Sequence, residues 1–192
     1  MSLSRACHDG DIKQVKELID EGAKVNQVDR YGVTPLRIAC HESNLHLIKF
    51  LIDNGADVNQ ADREGRTALM IASYKDYLDV VKLLIENGAD IHQTDTYGVT
   101  PLHIASDNGY FEMVKYLVDN GADINKADKY GTTPILFSSQ QGHSDVVKLL
   151  IDNGADIHQA DNNGWKPLLI ASCKGHLDVV KYIKKKIQRQ KN

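Results

Sequence analysis

Glycine recurs every 33 residues along this chain, at Gly22, Gly55, Gly88, Gly121 and Gly154. A second ladder, Gly32, Gly65, Gly98, Gly131 and Gly164, keeps the same step. So does an aspartate ladder at Asp29, Asp62, Asp95, Asp128 and Asp161. Three ladders in one register do not arise by chance. A fixed period of this length predicts a stack of small supersecondary units, each too short to bury its own core and each completed by its neighbours. The 192 residues hold six units of about 33. No linker interrupts the register, so a single domain is expected over 1–192. It divides into an N-terminal cap repeat (1–28), full repeats at 29–61, 62–94, 95–127 and 128–160, and a C-terminal cap repeat (161–192).

The unit 29–61 shows how the pattern encodes structure. Asp29 to Gly32 is a turn signal. Thr34 is a helix N-cap with Pro35 in the first turn, where a missing N–H costs nothing. Leu36, Ile38, Ala39 and Cys40 make a short apolar helix, and the small pair Ala39-Cys40 permits close approach of a neighbour. Ser43-Asn44 breaks the run. Leu45, Ile48, Leu51 and Ile52 then mark one face of a second helix. Asn54-Gly55 stops it, with Gly55 suited to a left-handed C-cap, and a polar return leads to the next turn.

These motifs resemble the ankyrin repeat. Its opening Thr-Pro-Leu-His stands whole at Thr100 to His103 and varied at Thr34, Thr67, Thr133 and Lys166. Its Gly-His-x-(Asp/Glu)-Val-Val-Lys segment lies at Gly142 to Lys148 and again at Gly175 to Lys181. Its Gly-Ala-Asp return begins at Gly55, Gly88, Gly121 and Gly154. The resemblance covers essentially the whole chain. It implies an all-α fold, an ankyrin-repeat solenoid of six stacked helix-turn-helix units with β-hairpin loops. It also implies a concave face, made of hairpin tips and first helices, that binds a partner protein. Only His103 keeps the histidine of the opening motif, and Lys166 stands where a capping threonine is usual.

Chemistry-bearing patterns are missing. There is no GxxxxGK, no GxGxxG after a strand and no GxSxG. His41-Glu42-Ser43-Asn44-Leu45-His46 spaces its histidines five apart, about 140° around a helix and not on one face. The ladder aspartates stand one per repeat, which suits turn hydrogen bonding and not a calcium cage. No catalytic residue, no metal ligand and no cofactor is expected, and the chain is read as no enzyme. Net charge is −3, so no overall basic field would recruit nucleic acid. No stretch approaches the roughly 18 apolar residues of a membrane span. Cys7, Cys40 and Cys173 form no CxxC pair, which points to a reducing compartment, cytoplasmic or nuclear. Cys7 and Cys40 read as buried thiols and Cys173 as the exposed one.

The residues that the scaffold leaves free are the candidates for partner binding. They are Arg30, Tyr31, Val33, His41 and Glu42; Arg63, Glu64, Arg66, Tyr74 and Lys75; Thr96, Tyr97, Val99, Asp107 and Asn108; Lys129, Tyr130, Thr132, Gln140 and Gln141; and Asn162, Asn163, Trp165, Cys173 and Lys174. Tyr31, Tyr97, Tyr130 and Trp165 make an aromatic stripe, the residue types that dominate binding hot spots. The competing reading is that tyrosine merely packs on the neighbouring loop. The tail from Lys181 to Asn192 carries six cations and no acid. It reads as a solvated helix end, with a nucleic-acid or small-molecule site, aided by the concave arginines, as the alternative. The resemblance implies asparaginyl hydroxylation at Asn59 and Asn125. The expected function is a non-catalytic, monomeric scaffold that holds a protein partner.

Overall fold

The computed structural model describes residues 2–190. They form helices α1 (Leu3–His8), α2 (Ile12–Asp20), α3 (Pro35–His41), α4 (Leu45–Asp53), α5 (Ala68–Tyr74), α6 (Leu78–Glu86), α7 (Pro101–Asn108), α8 (Phe111–Asp119), α9 (Pro134–Gln141), α10 (Ser144–Asp152), α11 (Pro167–Lys174) and α12 (Leu177–Gln190). No strand occurs among the described residues. The chain gathers into two compact units, Met1–Thr96 and Tyr97–Asn192.

In the first unit α1, α3 and α5 pack side by side, and each pairs with the helix that follows it. In the second unit α7, α9 and α11 do the same, backed by α8, α10 and α12. The close approach rests on small residues. Ala39, Cys40, Ala72, Ser73, Ala105, Ser106, Ser138 and Ser139 have no solvent-exposed surface. Ala171 is equally buried, whereas Ser172 in the last described pair is exposed.

The buried face of the second helices differs from the expected one. In α4 the buried residues are Leu47, Ile48 and Leu51, while Leu45 is exposed and Ile52 half-buried. The same triad recurs as Val80-Val81-Leu84, Met113-Val114-Leu117 and Val146-Val147-Leu150. A second helix here packs on its partner and also touches the neighbouring second helix, as α4 does α6. That broadens and rotates its apolar face by about one position.

Caps set the helix starts. The hydroxyls of Thr34, Thr67 and Thr100 accept from the N–H of Arg37, Met70 and His103. At Thr100 the box is complete, because the Thr100 N–H donates to Nδ1 of His103 at 3.1 Å. Nδ1 is thereby an acceptor, which assigns the ring proton to Nε2, 3.1 Å from the Thr132 carbonyl. Thr133 makes no such bond, and its hydroxyl is buried without a partner among the described residues. Lys166 caps nothing with its side chain.

Between the two helices of a pair the chain enters the left-handed region. Gly109 and Gly142 do this at φ 74° and 82°. A Cβ on either would lie 2.5 Å from the ring of His143 or His176. Those rings bond from Nε2 to the carbonyls of Asp107 and Gln140, both at 2.9 Å, so each histidine pins one repeat's turn to the next. Ser43 and Asp76 hold the equivalent turns at φ 55° and 57° without glycine's freedom.

Candidate protein-binding surface

The loops that carry the candidate residues are built around the ladder aspartates. Oδ1 of Asp29 accepts from the N–H groups of Tyr31 and Val33 at 2.8 and 2.9 Å. Asp62 holds Glu64 and Arg66 in the same way, Asp128 holds Tyr130 and Thr132, and Asp161 holds Asn163 and Trp165. One backbone bond then ties each loop to its neighbour within a unit: Arg63 N–H to the Tyr31 carbonyl, Lys129 to Tyr97, Asn162 to Tyr130. A single bond per neighbour is a turn stack and too little for a strand ladder. The packing is tight enough that a Cβ on Gly131 would lie 2.9 Å from the backbone nitrogen of Asn162. The aspartate ladder therefore fixes loop backbones, and the two residues after each aspartate are left to point outward.

Those residues are solvent-open. Tyr31, Tyr97 and Tyr130 keep 58%, 48% and 52% of their surface, and Trp165 keeps 37%. The two readings of the tyrosines merge. Lys129 places its ammonium 4.1 Å from the Tyr97 ring centre, across loops, and 5.4 Å from that of its own neighbour Tyr130, so the Tyr97 ring does pack against the next loop. About half of each ring stays exposed all the same. Arg30 lies over its own neighbour Tyr31 at 4.7 Å. Trp165 is the least exposed of the four. Arg63, Glu64, Thr96, Lys129 and Asn163 are exposed, and Val33 and Val99 are half-buried.

The ends of the first helices are less free. His41 pairs with Glu42 at 2.9 Å, Gln141 donates to Asp107 at 2.8 Å, and Asn108 turns back onto the Ile104 carbonyl. Arg66 is held by Asp62 at 3.0 Å and by Glu64 at 2.8 Å. Tyr74, Gln140 and Lys174 are exposed and Lys75 is half-buried. In the tail, Lys186 bonds Asp152 at 2.5 Å and Tyr182 donates to the same carboxylate at 2.8 Å. The hydrogen bonds from Lys186 and then Tyr182 hold the Asp152 carboxyl below its ordinary range. Lys181, Lys184, Lys185 and Arg189 are exposed, and Lys191 and Asn192 lie outside the described residues.

Cys7 and Cys40 are buried and Cys173 is exposed. Burial pushes the Cys7 thiol up to about 12 and raises that of Cys40 as well. Asn59 donates to the Gly88 carbonyl at 2.9 Å and accepts from the Asp90 N–H at 2.7 Å. Asn125 does the same with Gly154 and Asp156, and Asn26 with Gly55 and Asp57. This two-point clamp between consecutive returns was not foreseen. The signal for it was present, since Asn26, Asn59 and Asn125 share one repeat position. Among the described residues no three His, Cys, Asp or Glu side chains gather as a metal site, and no helix is long and apolar enough to cross a membrane.

Such a molecule is a repeat protein whose fixed framework displays interchangeable loop tips. A family model described as ankyrin repeats (3 copies) matches residues 3–95 and 122–192, and one described as ankyrin repeats (many copies) matches residues 84–135. The chain belongs to the ankyrin-repeat family. No curated protein matches it.

Proposed function

We propose that this chain is a non-catalytic scaffold that holds a protein partner with its loop tips and the exposed ends of its first helices. Each helix pair with its loop is one repeat in this reading, six in all. The observation that carries it is the set of half-exposed aromatic rings, Tyr31, Tyr97, Tyr130 and Trp165, on loops whose backbones are already fixed. Aromatic rings lose little entropy on binding, and a pre-ordered loop has little more to lose, so such tips convert buried area into affinity efficiently. Charges at the loop tips are of both signs, with Arg63 beside Glu64 and Arg66 paired with Glu64, which favours a partner of mixed character over a nucleic acid.

The test is recovery of a partner from the source cell, followed by its binding to variants. Tyr97→Ala combined with Trp165→Ala should weaken binding by at least about tenfold, the loss expected when hot-spot aromatics are truncated. Lys115→Ala, on the outer side of α8, should leave it unchanged. Equal binding by wild type and the double variant would remove the loop tips from the interface. The same surface reading takes Asn59 and Asn125 as acceptors of asparaginyl hydroxylation. Native material lacking any added oxygen on both peptides by mass spectrometry would eliminate that assignment.

A further inference from the structure

Arg37 stands at the repeat position that His103 occupies in the second unit, and the two side chains end differently. The His103 ring commits both nitrogens, one to Thr100 and one to the Thr132 carbonyl. The Arg37 guanidinium reaches the following loop as well, where Nη1 donates to Asp62 at 2.7 Å. That is its one hydrogen bond among the described residues, out of five available donors. Nε has almost no accessible surface and no partner among the described residues. The carboxylate it uses is shared, because Oδ2 of Asp62 also accepts from Arg66 at 3.0 Å. Two guanidiniums thus draw on one buried carboxylate; Glu64 makes its ion pair with Arg66, and it and Asp29 reach Arg37 only through charge at longer range.

Arg37 also lines a cavity of about 210 Å³ on the first-helix side of the unit Met1–Thr96. Val33, Ile38 and Ile71 make its apolar walls, and His8, His41 and Glu42 complete the lining. Glu42 does not serve the arginine, since its carboxylate lies 2.9 Å from His41. His8 faces Asp9 at 3.5 Å. The cavity therefore joins an apolar wall to a cation with unspent donors, and its one carboxylate, Glu42, lies against His41 and makes no ion pair with Arg37 among the described residues.

We propose that this pocket takes a segment of the partner protein in which an aliphatic side chain stands next to a carboxylate. The aliphatic group covers Val33, Ile38 and Ile71. The carboxylate accepts from Nη2 of Arg37, since Nε is sealed and Nη1 is committed to Asp62, and the charge-assisted bond is strengthened by the partly buried setting. The inference rests on the scaffold reading above and adds to it the chemistry of one contact. Burial depresses the basicity of Arg37 and Asp62 opposes that effect; Arg66 adds to the depression and Asp29 and Glu64 oppose it without cancelling it, so a further carboxylate would meet an incompletely compensated charge.

The test is an NMR titration of the full chain with two terminally blocked peptides, one carrying leucine beside aspartate and the other leucine beside asparagine. Shifts are expected at the Ile38 and Ile71 methyl groups and at the Arg37 Nε–H, with the aspartate peptide binding about tenfold tighter, the ratio of one charge-assisted hydrogen bond. Arg37→Lys keeps a cation for Asp62 but removes the fork, and should bring the two peptides together. Equal affinities for the two peptides in wild type overturn the proposal without need of any variant. So does a preference that survives in folded Arg37→Lys protein. The scaffold reading fails separately, through partner binding that ignores Tyr97 and Trp165.

Discussion

The Arg37 guanidinium lies 2.7 Å from the carboxylate of Asp62, a side chain with no exposed surface, and the pair bolts the first helix of one repeat to the loop of the next. Asp62 does two jobs at once. Oδ1 closes its own turn and Oδ2 meets two arginines. Removing it leaves the mostly buried Arg37 cation without its one hydrogen-bond acceptor among the described residues.

Asp62→Ala should therefore cost about 3 kcal/mol or more, the usual effect of breaking a buried pair from one side. Asp29→Ala, at an exposed site with turn bonds only, should cost about 1 kcal/mol. Guanidinium denaturation at pH 7 measures both, fitted with allowance for more than two states in a repeat protein. Acid should shrink the difference. Burial raises the Asp62 carboxyl, but the Arg66 hydrogen bonds and the Arg37 charge outweigh it and set the folded value below the ordinary one. The contribution is thus complete above the unfolded carboxylate value of about 3.9 and disappears as pH falls below it towards the folded value.

Ser43 and Asp76 occupy left-handed turns where Gly109 and Gly142 stand in other repeats. Ser43→Gly and Asp76→Gly should each stabilise the fold by about 0.5–1 kcal/mol, the strain of a side chain in that region less glycine's extra chain entropy. For Asp76 there is a second gain. Desolvation raises its carboxyl above the ordinary value, so its charged form is disfavoured in the folded state at neutral pH. Thermal melts of the two variants decide the matter, and a lower Tm for both would refute it. The reverse change, Gly142→Ala, should be severe, because the new Cβ would also meet the His176 ring.

Nearly all of the helical framework was legible in the sequence, because the ladders mark turns and turns are set by local residues. Thr34-Pro35 and Asn54-Gly55 announce helix ends by their own backbone chemistry. The features that were not legible depend on the neighbouring repeat. Which face of α4 is buried follows from contact with α6, and the sequence of α4 alone marks Leu45 where the structure buries Leu47. His143 looks like a surface residue until Gly109 of the preceding repeat is placed beneath its ring. The candidate surface divides in the same way. Its positions could be counted off from each aspartate, but Arg66, Asp107 and Gln141 are engaged with neighbours, which no count reveals.

The three thiols should react in two classes. Cys173 is exposed, and should be titrated by a chromogenic disulfide reagent in the native state within minutes. Cys7 and Cys40 combine burial with strongly raised thiol values, so they hold almost no thiolate at neutral pH. They should react only on unfolding. One fast equivalent in buffer and three in denaturant is the expected count. Rapid labelling of Cys40 in folded protein would mean that α3 opens far more readily than its packing implies.

The capping positions give the sharpest internal comparison, since one residue type stands in four equivalent places with two outcomes. Thr34, Thr67 and Thr100 each accept a helix N–H, and Thr100 adds the His103 box. Thr133 buries a hydroxyl that bonds to nothing among the described residues. Thr100→Val should thus cost about 1–2 kcal/mol, the worth of a good N-cap. Thr133→Val should be neutral or slightly stabilising, because it replaces an unsatisfied buried hydroxyl with a methyl of the same shape. At the last repeat the logic inverts. Lys166 is an exposed N-cap residue without a capping bond, and Lys166→Thr supplies the missing acceptor, for an expected gain of about 1 kcal/mol. Denaturation of the three variants side by side separates capping from burial. Equal losses at Thr100 and Thr133 would show that the threonine methyl, and not its hydroxyl, is what these helix starts need.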